Sequence, residues 1–139
     1  MKTKRARDQR CCALKLDMRK AYDRGEWPYL RAIILRLGFH RIWVEMIMKL
    51  VTSVSFLFQL NGDCLELFTP TRGIRQDDPI SPYLFLLAAE GISCLLKSRT
   101  QSSVLNGISV APSVPMVSHL LFADDSLLFF RADGDSAAR

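Results

Sequence analysis

The chain has 139 residues, of which 49% are hydrophobic and 24% are charged, and its formal net charge is +5. A chain of this length supports one hydrophobic core, which excludes a two-domain enzyme unless these residues belong to a longer protein, and the composition excludes an intrinsically disordered chain. Residues 1–10 carry a net charge of +4, so the positive charge belongs mainly to an N-terminal tail and the remainder is nearly neutral.

The cysteines and the hydropathy pattern argue against three further classes of protein. The four cysteines are Cys11, Cys12, Cys64 and Cys94. Because they form neither a C-x-x-C pair nor a cluster with histidine, we expect reduced thiols and no zinc site. The longest apolar stretch, residues 80–96, contains Glu90, so we expect no membrane-spanning segment, and charged residues soon after the basic start argue against a secretory signal.

The first part of the chain predicts one strand and two helices. Residues 12–17 are mostly apolar and end in an acid, which is typical of a strand whose last residue is Asp17. A helix is predicted from Trp27, with a proline in its first turn, to just before Gly38. Apolar residues at helical spacing predict a second helix over residues 42–50, and we assign both helices to core packing.

The middle of the chain predicts a hairpin and a long helix. Residues 55–60 and 64–68 are rich in Phe and Leu and flank an Asn-Gly pair, which is a strong short-range signal for a β-hairpin. After a loop, Ser81 is the predicted N-cap of a helix over residues 82–97. This helix is apolar on nearly every side, so we expect it to be buried at the centre of the fold.

The last part of the chain predicts a second hairpin, which carries two acidic residues. After a polar loop with a short strand predicted at residues 108–110, apolar runs over residues 117–122 and 127–130 flank Asp124 and Asp125 at the hairpin tip. Strands, helices and strands follow one another without strict alternation. The pattern therefore predicts an α+β fold with an antiparallel sheet.

Two adjacent carboxylates in an apolar hairpin are costly, because like charges repel and burial of charge is unfavourable. One interpretation is a polar hairpin tip in water. A bound divalent cation would relieve the repulsion, and carboxylate oxygens suit Mg²⁺ or Mn²⁺. Because side chains alternate along a strand, Asp124 and Asp125 would not face one site equally. Asp17 also ends an apolar strand and is the natural candidate for a second ligand.

Three motifs resemble the palm region of reverse transcriptases from LINE-type non-LTR retrotransposons. They are LKLDMRKAYDR at residues 14–24, RGIRQDDPISPYLF at residues 72–85 and FADD at residues 122–125. Each motif alone is weakly diagnostic, but the three in family order and at family-like separations are highly specific. The resemblance implies a polymerase palm-like antiparallel sheet packed on helices. It divides the chain into a basic tail, a palm region and a polar tail, at residues 1–12, 13–131 and 132–139.

The resemblance implies a catalytic site built on carboxylates. Asp17 and Asp124 would be ligands of two divalent ions, Mg²⁺ or Mn²⁺, that activate the primer 3′-hydroxyl and stabilise the leaving pyrophosphate. Asp125 would be a weaker, supporting ligand. Tyr22 would lie beneath the sugar and exclude a 2′-hydroxyl by its bulk, and the alternative for this residue is a core aromatic.

The resemblance also implies an RNA template, a DNA primer and a deoxynucleoside triphosphate as partners, and no membrane. Arg75 and Gln76 would lie near the incoming nucleotide and the template. Two residues depart from the family pattern. Asp77 stands where the family has glycine, and its charge would repel a triphosphate. Gly25 stands where an aliphatic residue is more common and would loosen the segment before Trp27.

In the family, a fingers region precedes these motifs and a thumb region follows them. This sequence shows no counterpart of either region. We therefore expect this chain by itself to be a truncated and inactive remnant of an RNA-directed DNA polymerase. The alternative is a non-enzymatic fragment that binds nucleic acid weakly through residues 1–10. A phosphatase or nucleotidyl cyclase with a similar palm is disfavoured, because Lys97 and Thr100 lie in no suitable context. The sequence does not determine the oligomeric state.

Overall fold

The computed structural model describes residues 11–109, 111 and 113–131. Most of the predicted basic tail and all of the predicted polar tail lie outside the described residues, so the alternative function of the basic tail stays a prediction. The described residues divide into two compact units, which are considered separately. Unit 1 contains the described residues up to Arg19 and those from Ile92 onward, and unit 2 contains residues 20–91.

The described elements confirm the predicted α+β class with antiparallel strands. In chain order they are β1 (Cys11–Asp17), α1 (Trp27–Arg36), α2 (Arg41–Thr52), β2 (Gln59–Leu60), β3 (Asp63–Cys64), α3 (Ser81–Gln101), β4 (His119–Phe122) and β5 (Asp125–Arg131). The residues of α3 are divided between the two units. None of the helices in the described part of the chain is long and apolar enough to cross a membrane.

Unit 1 is built on a three-stranded antiparallel sheet with the strand order β1-β5-β4. Strand β5 is central, and its first residue, Asp125, is level with Asp17 of β1 and with Phe122 of β4. The turn between β4 and β5 contains Ala123 at φ 50° and Asp124. A positive φ is unfavourable for alanine, and a short hairpin turn of this kind is a common reason for it.

The segment before β4 is tied to the same sheet by backbone and side-chain hydrogen bonds. Ile108 forms an isolated antiparallel bridge with Val117, where a short strand over residues 108–110 was predicted; Val110 lies outside the described residues. The Nε2 atom of His119 lies 2.9 Å from the Oγ atom of Ser93 on α3. The other ring nitrogen of His119, Nδ1, lies 2.9 Å from the Oγ atom of Ser118. Hydrogen bonding to two neutral serines indicates a packing role for His119.

Unit 2 contains the helix pair predicted from the apolar stripes. The side chains of Leu30 and Ile34 on α1 and of Val44 and Ile47 on α2 are buried and form its core. Gly38 ends the first helix with a φ of 92°, which glycine adopts without the penalty that a Cβ atom would add. The predicted bounds of both helices are therefore close to those observed.

An ion pair on the surface joins the two helices of unit 2. The Nε atom of Arg31 on α1 donates to Oε1 of Glu45 on α2 at 3.1 Å, and a second guanidinium nitrogen contacts the same oxygen. The hydrogen bond from Arg31 lowers the pKa of Glu45 below its usual value. Both side chains remain partly exposed, so this pair orients the helices more than it stabilises them.

The predicted hairpin is present in unit 2, with a shorter ladder than the apolar runs suggested. Strands β2 and β3 pair Gln59 with Cys64 and Leu60 with Asp63. The two-residue turn between them has φ 52° at Asn61 and 93° at Gly62, as a type I′ turn requires.

Two expectations about α3 are wrong. The helix begins at Ser81 rather than after it, and the Oδ1 atom of Asp78 accepts a hydrogen bond from the Ile80 amide in the preceding turn. The helix is also not buried on all sides, because Tyr83 is 68% exposed whereas Leu84 is 1% exposed. An apolar composition on every side gives no information about which side is covered, and that depends on the neighbouring elements.

Candidate catalytic site

The ends of β1 and β5 bring two carboxylates of unit 1 together. Asp17 is the last residue of β1 and is directly opposite Asp125, the first residue of β5. Beyond this pair, the Met18 amide donates to the Asp124 carbonyl at 3.0 Å. Because hydrogen-bonded and non-hydrogen-bonded pairs alternate, Asp17 and Asp125 form a non-hydrogen-bonded pair, in which Cα atoms are about 4.5 Å apart. Their side chains therefore project from the same face of the sheet as close neighbours.

Asp124 occupies the turn, next to this pair but outside the strand ladder. It is exposed, and its backbone is held by the hydrogen bond from Met18. Alternation of side chains applies to β5 from Asp125 onward, so the expected separation of Asp124 from Asp125 stays a prediction. The strand partner of Asp17 is Asp125. The family resemblance implies instead that Asp17 and Asp124 are the metal ligands, and that assignment stays a prediction.

A lysine on β1 belongs to the same cluster and was missed by the sequence reasoning. The Nζ atom of Lys15 lies 2.9 Å from Oδ2 of Asp125, with 61% and 40% of the two side chains exposed. The pKa of Lys15 is raised above its usual value, mainly by the hydrogen bond to Asp125 and by the negative charge of that carboxylate. The charges of Asp17 and Asp124 raise it more weakly. The available signal was the two-residue spacing of Lys15 and Asp17, which places both on one strand face.

The carboxylates of unit 1 fit a divalent ion that takes part of its coordination from elsewhere. In the part of the chain that the structure describes, no group of three or more His, Cys, Asp or Glu residues is arranged to hold a metal ion. Mg²⁺ commonly uses one or two protein carboxylates and completes its shell with water and substrate phosphates. The oxygen donors at Asp17, Asp124 and Asp125 are of the type that such an ion prefers.

In unit 2, the end of the first motif and the residue after it are hydrogen-bonded to the second motif. The Ile74 amide donates to the Tyr22 carbonyl at 2.9 Å, and the Gly73 amide donates to the Gly25 carbonyl at 2.8 Å. The indole Nε1 of Trp27 donates to the Gly73 carbonyl at 2.7 Å. Gly25 is thus held by its carbonyl. A Cβ atom there would meet only the Tyr22 carbonyl, at 3.7 Å, so the absence of a side chain is not required.

Tyr22 lies in an aromatic stack within unit 2. Its ring is 5.0 Å from that of Phe85, with an angle of 15° between the ring planes, and it is half-buried. This contact supports the packing alternative for one face of the ring. The role of Tyr22 in excluding a 2′-hydroxyl stays a prediction.

The other predicted nucleotide-binding residues line a cavity of about 670 Å³ in unit 2. The charged and polar lining residues are Asp23, Thr71, Arg72, Arg75, Gln76 and Asp77, and the remainder of the wall includes Val51, Val54, Phe56 and Phe68. Two arginines and two aspartates face this space, so their formal charges cancel. Arg72 is also 3.4 Å from Glu26, which weakens the positive side further.

Asp77 has no unusual backbone conformation. It is exposed and is not among the described residues with a positive φ. The backbone conformation at position 77 therefore does not require glycine, and Asp77 differs from a glycine there in its side-chain volume and charge. The physical effect of Asp77 is the carboxylate that it adds to the cavity wall.

Comparisons with known proteins agree with these motifs. The family described as reverse transcriptase (RNA-dependent DNA polymerase) matches residues 1–138. An uncharacterised mitochondrial protein of Arabidopsis thaliana is 49% identical over 76 residues, which are 55% of this chain and 62% of that protein. A TX1 transposon protein of Xenopus laevis is 31% identical over 115 residues, which are 83% of this chain and 8% of that protein.

Two further similarities concern a retrotransposon protein and a solved structure. A retrovirus-related Pol polyprotein from the R2DM element of Drosophila melanogaster is 31% identical over 121 residues, or 86% of this chain and 10% of the polyprotein. The structure of apo telomerase from Candida tropicalis, truncated from the C-terminal domain, shares the fold with a TM-score of 0.63 and 17% identity. The match covers 92% of this chain and 25% of the telomerase chain. The chain thus spans less than two thirds of each of these proteins.

Replacing Gly73 by alanine should destabilise unit 2 more than the same change at Gly38. Both glycines have a positive φ, of 93° and 92°, so both replacements carry a backbone penalty of about 1–2 kcal/mol. A Cβ atom at Gly73 would also lie 3.0 Å from the Asp23 carbonyl oxygen, whereas one at Gly38 meets nothing within 4 Å.

We expect Gly73→Ala to lower the free energy of unfolding by at least about 1 kcal/mol more than Gly38→Ala, measured by urea denaturation. Equal losses for the two variants would show that the approach of Gly73 to Asp23 is not a tight contact.

Proposed function

The chain belongs to the reverse transcriptase (RNA-dependent DNA polymerase) family, and we propose that it carries the catalytic palm of a two-metal, RNA-templated deoxynucleotidyl transfer. The observation that supports this proposal most strongly is the β1–β5 pairing. It brings Asp17 level with Asp125 and links Met18 to Asp124. Two of the relatives, the TX1 transposon protein and the R2DM polyprotein, match 83% and 86% of this chain, which is consistent with a non-LTR retrotransposon origin.

In this proposal, the residues of unit 1 bind cations and those of unit 2 contact nucleotide and template. When bound, two divalent ions would supply Lewis acidity to the primer 3′-hydroxyl and to the leaving pyrophosphate. Asp17 and Asp124 would hold them through carboxylate oxygens, and Asp125 lies beside Asp17 on the neighbouring strand. Tyr22 limits the space beneath the sugar at its 2′ position. The partners are an RNA template, a DNA primer and a deoxynucleoside triphosphate.

Removing either proposed ligand should weaken cation binding. We expect Asp17→Asn and Asp124→Asn each to weaken Mn²⁺ binding to the 139-residue chain by about tenfold or more, because the loss of even a supporting group typically costs 10- to 100-fold. The measurement is a Mn²⁺ titration followed by electron paramagnetic resonance, with thermal unfolding as a check on folding. Asp63→Asn, in the exposed β2–β3 hairpin, is the matched control and should leave the affinity unchanged.

A loss of similar size in Asp63→Asn would contradict the proposed site, because it would attribute binding to overall charge. Unchanged affinity in both Asp17→Asn and Asp124→Asn would also overturn the assignment.

Asp77 is proposed to oppose triphosphate binding at the cavity of unit 2. Phosphates are attracted by arginine, and Arg75 lines the same cavity as Asp77. The carboxylate of Asp77 offsets the guanidinium charge at the wall and repels a polyanion. The cavity of this chain is therefore a weaker phosphate site than its arginines alone would make.

Neutralising Asp77 should strengthen the binding of inorganic triphosphate to the chain. For an exposed charge worth up to about 1 kcal/mol, we expect Asp77→Asn to raise the affinity about two- to fivefold, measured by calorimetry at low salt. Asp63→Asn makes the same charge change at a residue that does not line the cavity and should have no effect. Equal gains in the two variants would attribute the effect to net charge and would contradict a specific role for Asp77.

We further propose that the 139-residue chain does not synthesise DNA by itself. Its cavity does not favour a triphosphate, because the two aspartates that line it offset the charge of its two arginines. Primer extension on an RNA template with Mg²⁺ and deoxynucleoside triphosphates is expected to give no product. Template-dependent extension that is lost in Asp17→Asn would overturn this view and would establish the chain as an active polymerase.

A further inference from the structure

Lys15 is a cation that the structure adds to the carboxylate cluster of unit 1. Its ammonium lies 2.9 Å from Asp125, and it shares a face of β1 with Asp17. Asp125 is level with Asp17 across the strand pair, so a single positive charge lies beside both carboxylates. Neither the three motifs nor the comparisons assign a function to this lysine.

The ion pair limits what Asp125 can do. An oxygen of Asp125 that accepts a hydrogen bond from Lys15 has to release it before it can coordinate a metal ion. A divalent ion bound at Asp125 would also lie next to the lysine charge, which is unfavourable at short range. Among the described residues, the direct ion pair of Lys15 is with Asp125 and not with Asp17 or Asp124.

We propose that Lys15 is a positioning residue that keeps Asp125 out of the metal-ligand set, so that Asp17 and Asp124 are left to bind the cations. This inference rests on the proposed function, because it requires cations at the β1–β5 end. It gives a physical reason for unequal roles of the two adjacent aspartates. It also explains why Asp125, although it is the strand partner of Asp17, would not share a metal ion with it.

Removing the lysine charge should release Asp125 to the cation. Exposed ion pairs contribute up to a few-fold in equilibrium constants. We therefore expect Lys15→Met to raise the affinity of the full chain for Mn²⁺ about two- to fivefold, in the same paramagnetic resonance titration. Lys15→Arg keeps the charge and should behave like the wild type. Lys49→Met makes the same charge change on α2 and should leave the affinity unchanged.

A double-mutant cycle separates the ion pair from general electrostatics. In the wild-type background, Asp125→Asn should change Mn²⁺ affinity less than about twofold, because Asp125 is already occupied by Lys15. In the Lys15→Met background, Asp125→Asn should remove the gain. An equal gain from Lys15→Met with and without Asp125 would overturn the inference, since it would reflect only the loss of a nearby positive charge.

The failure of this inference and the failure of the proposed function give different results. If Asp17→Asn weakens Mn²⁺ binding but Lys15→Met does not strengthen it, the inference is wrong and the proposed site stands. If Asp17→Asn and Asp124→Asn both leave binding unchanged, the proposed site is wrong and the inference falls with it. Thermal unfolding of each variant checks that the strand pair is intact, and Lys15→Gln removes the same charge and preserves the test where Lys15→Met does not fold.

Discussion

The antiparallel register between β1 and β5 determines where the charged groups of unit 1 lie. A slip of one residue would move Asp17 and Lys15 to the opposite face relative to β5, since side chains alternate along a strand. The register is held at its end by the hydrogen bond from Met18 to Asp124, and the strained turn at Ala123 starts β5 at Asp125. Backbone pairing therefore determines that Lys15, Asp17 and Asp125 lie close together, and their side chains supply the charges.

Unit 2 depends on a different backbone constraint. The second motif is held against the end of the first motif. Gly73 permits this approach, because it has a positive φ and lies close to the backbone of Asp23. The indole of Trp27 completes the contact from the start of α1. Residues 20–24 of the first motif and the second motif both lie in unit 2, and their contacts support the wall of the cavity.

Local signals in the sequence predicted more of the fold than of the site. The ends of α1 and the turn at Gly62 follow from residue types whose backbone preferences act within a few positions. The stacking of Tyr22 and the exposure of Tyr83 depend on which elements pack together, and no local pattern contains that information. The partner of Asp125 required the strand register, although alternation already placed Lys15 on the relevant face. The motif aspartates could be found from their types and order, but the division of roles between them could not.

The outer position of β1 has a consequence for the chain in solution. All seven residues of β1 are exposed, and within the described residues the strand pairs only with β5. Among the described residues no strand lies along its outer edge, and its Leu14 and Leu16 side chains are exposed. Lysine on an edge strand is a common protection against association with another strand. Lys15 therefore has two physical consequences in one position, because it pairs with a carboxylate of the cluster and places a charge on the outer strand, where charge disfavours pairing with another strand.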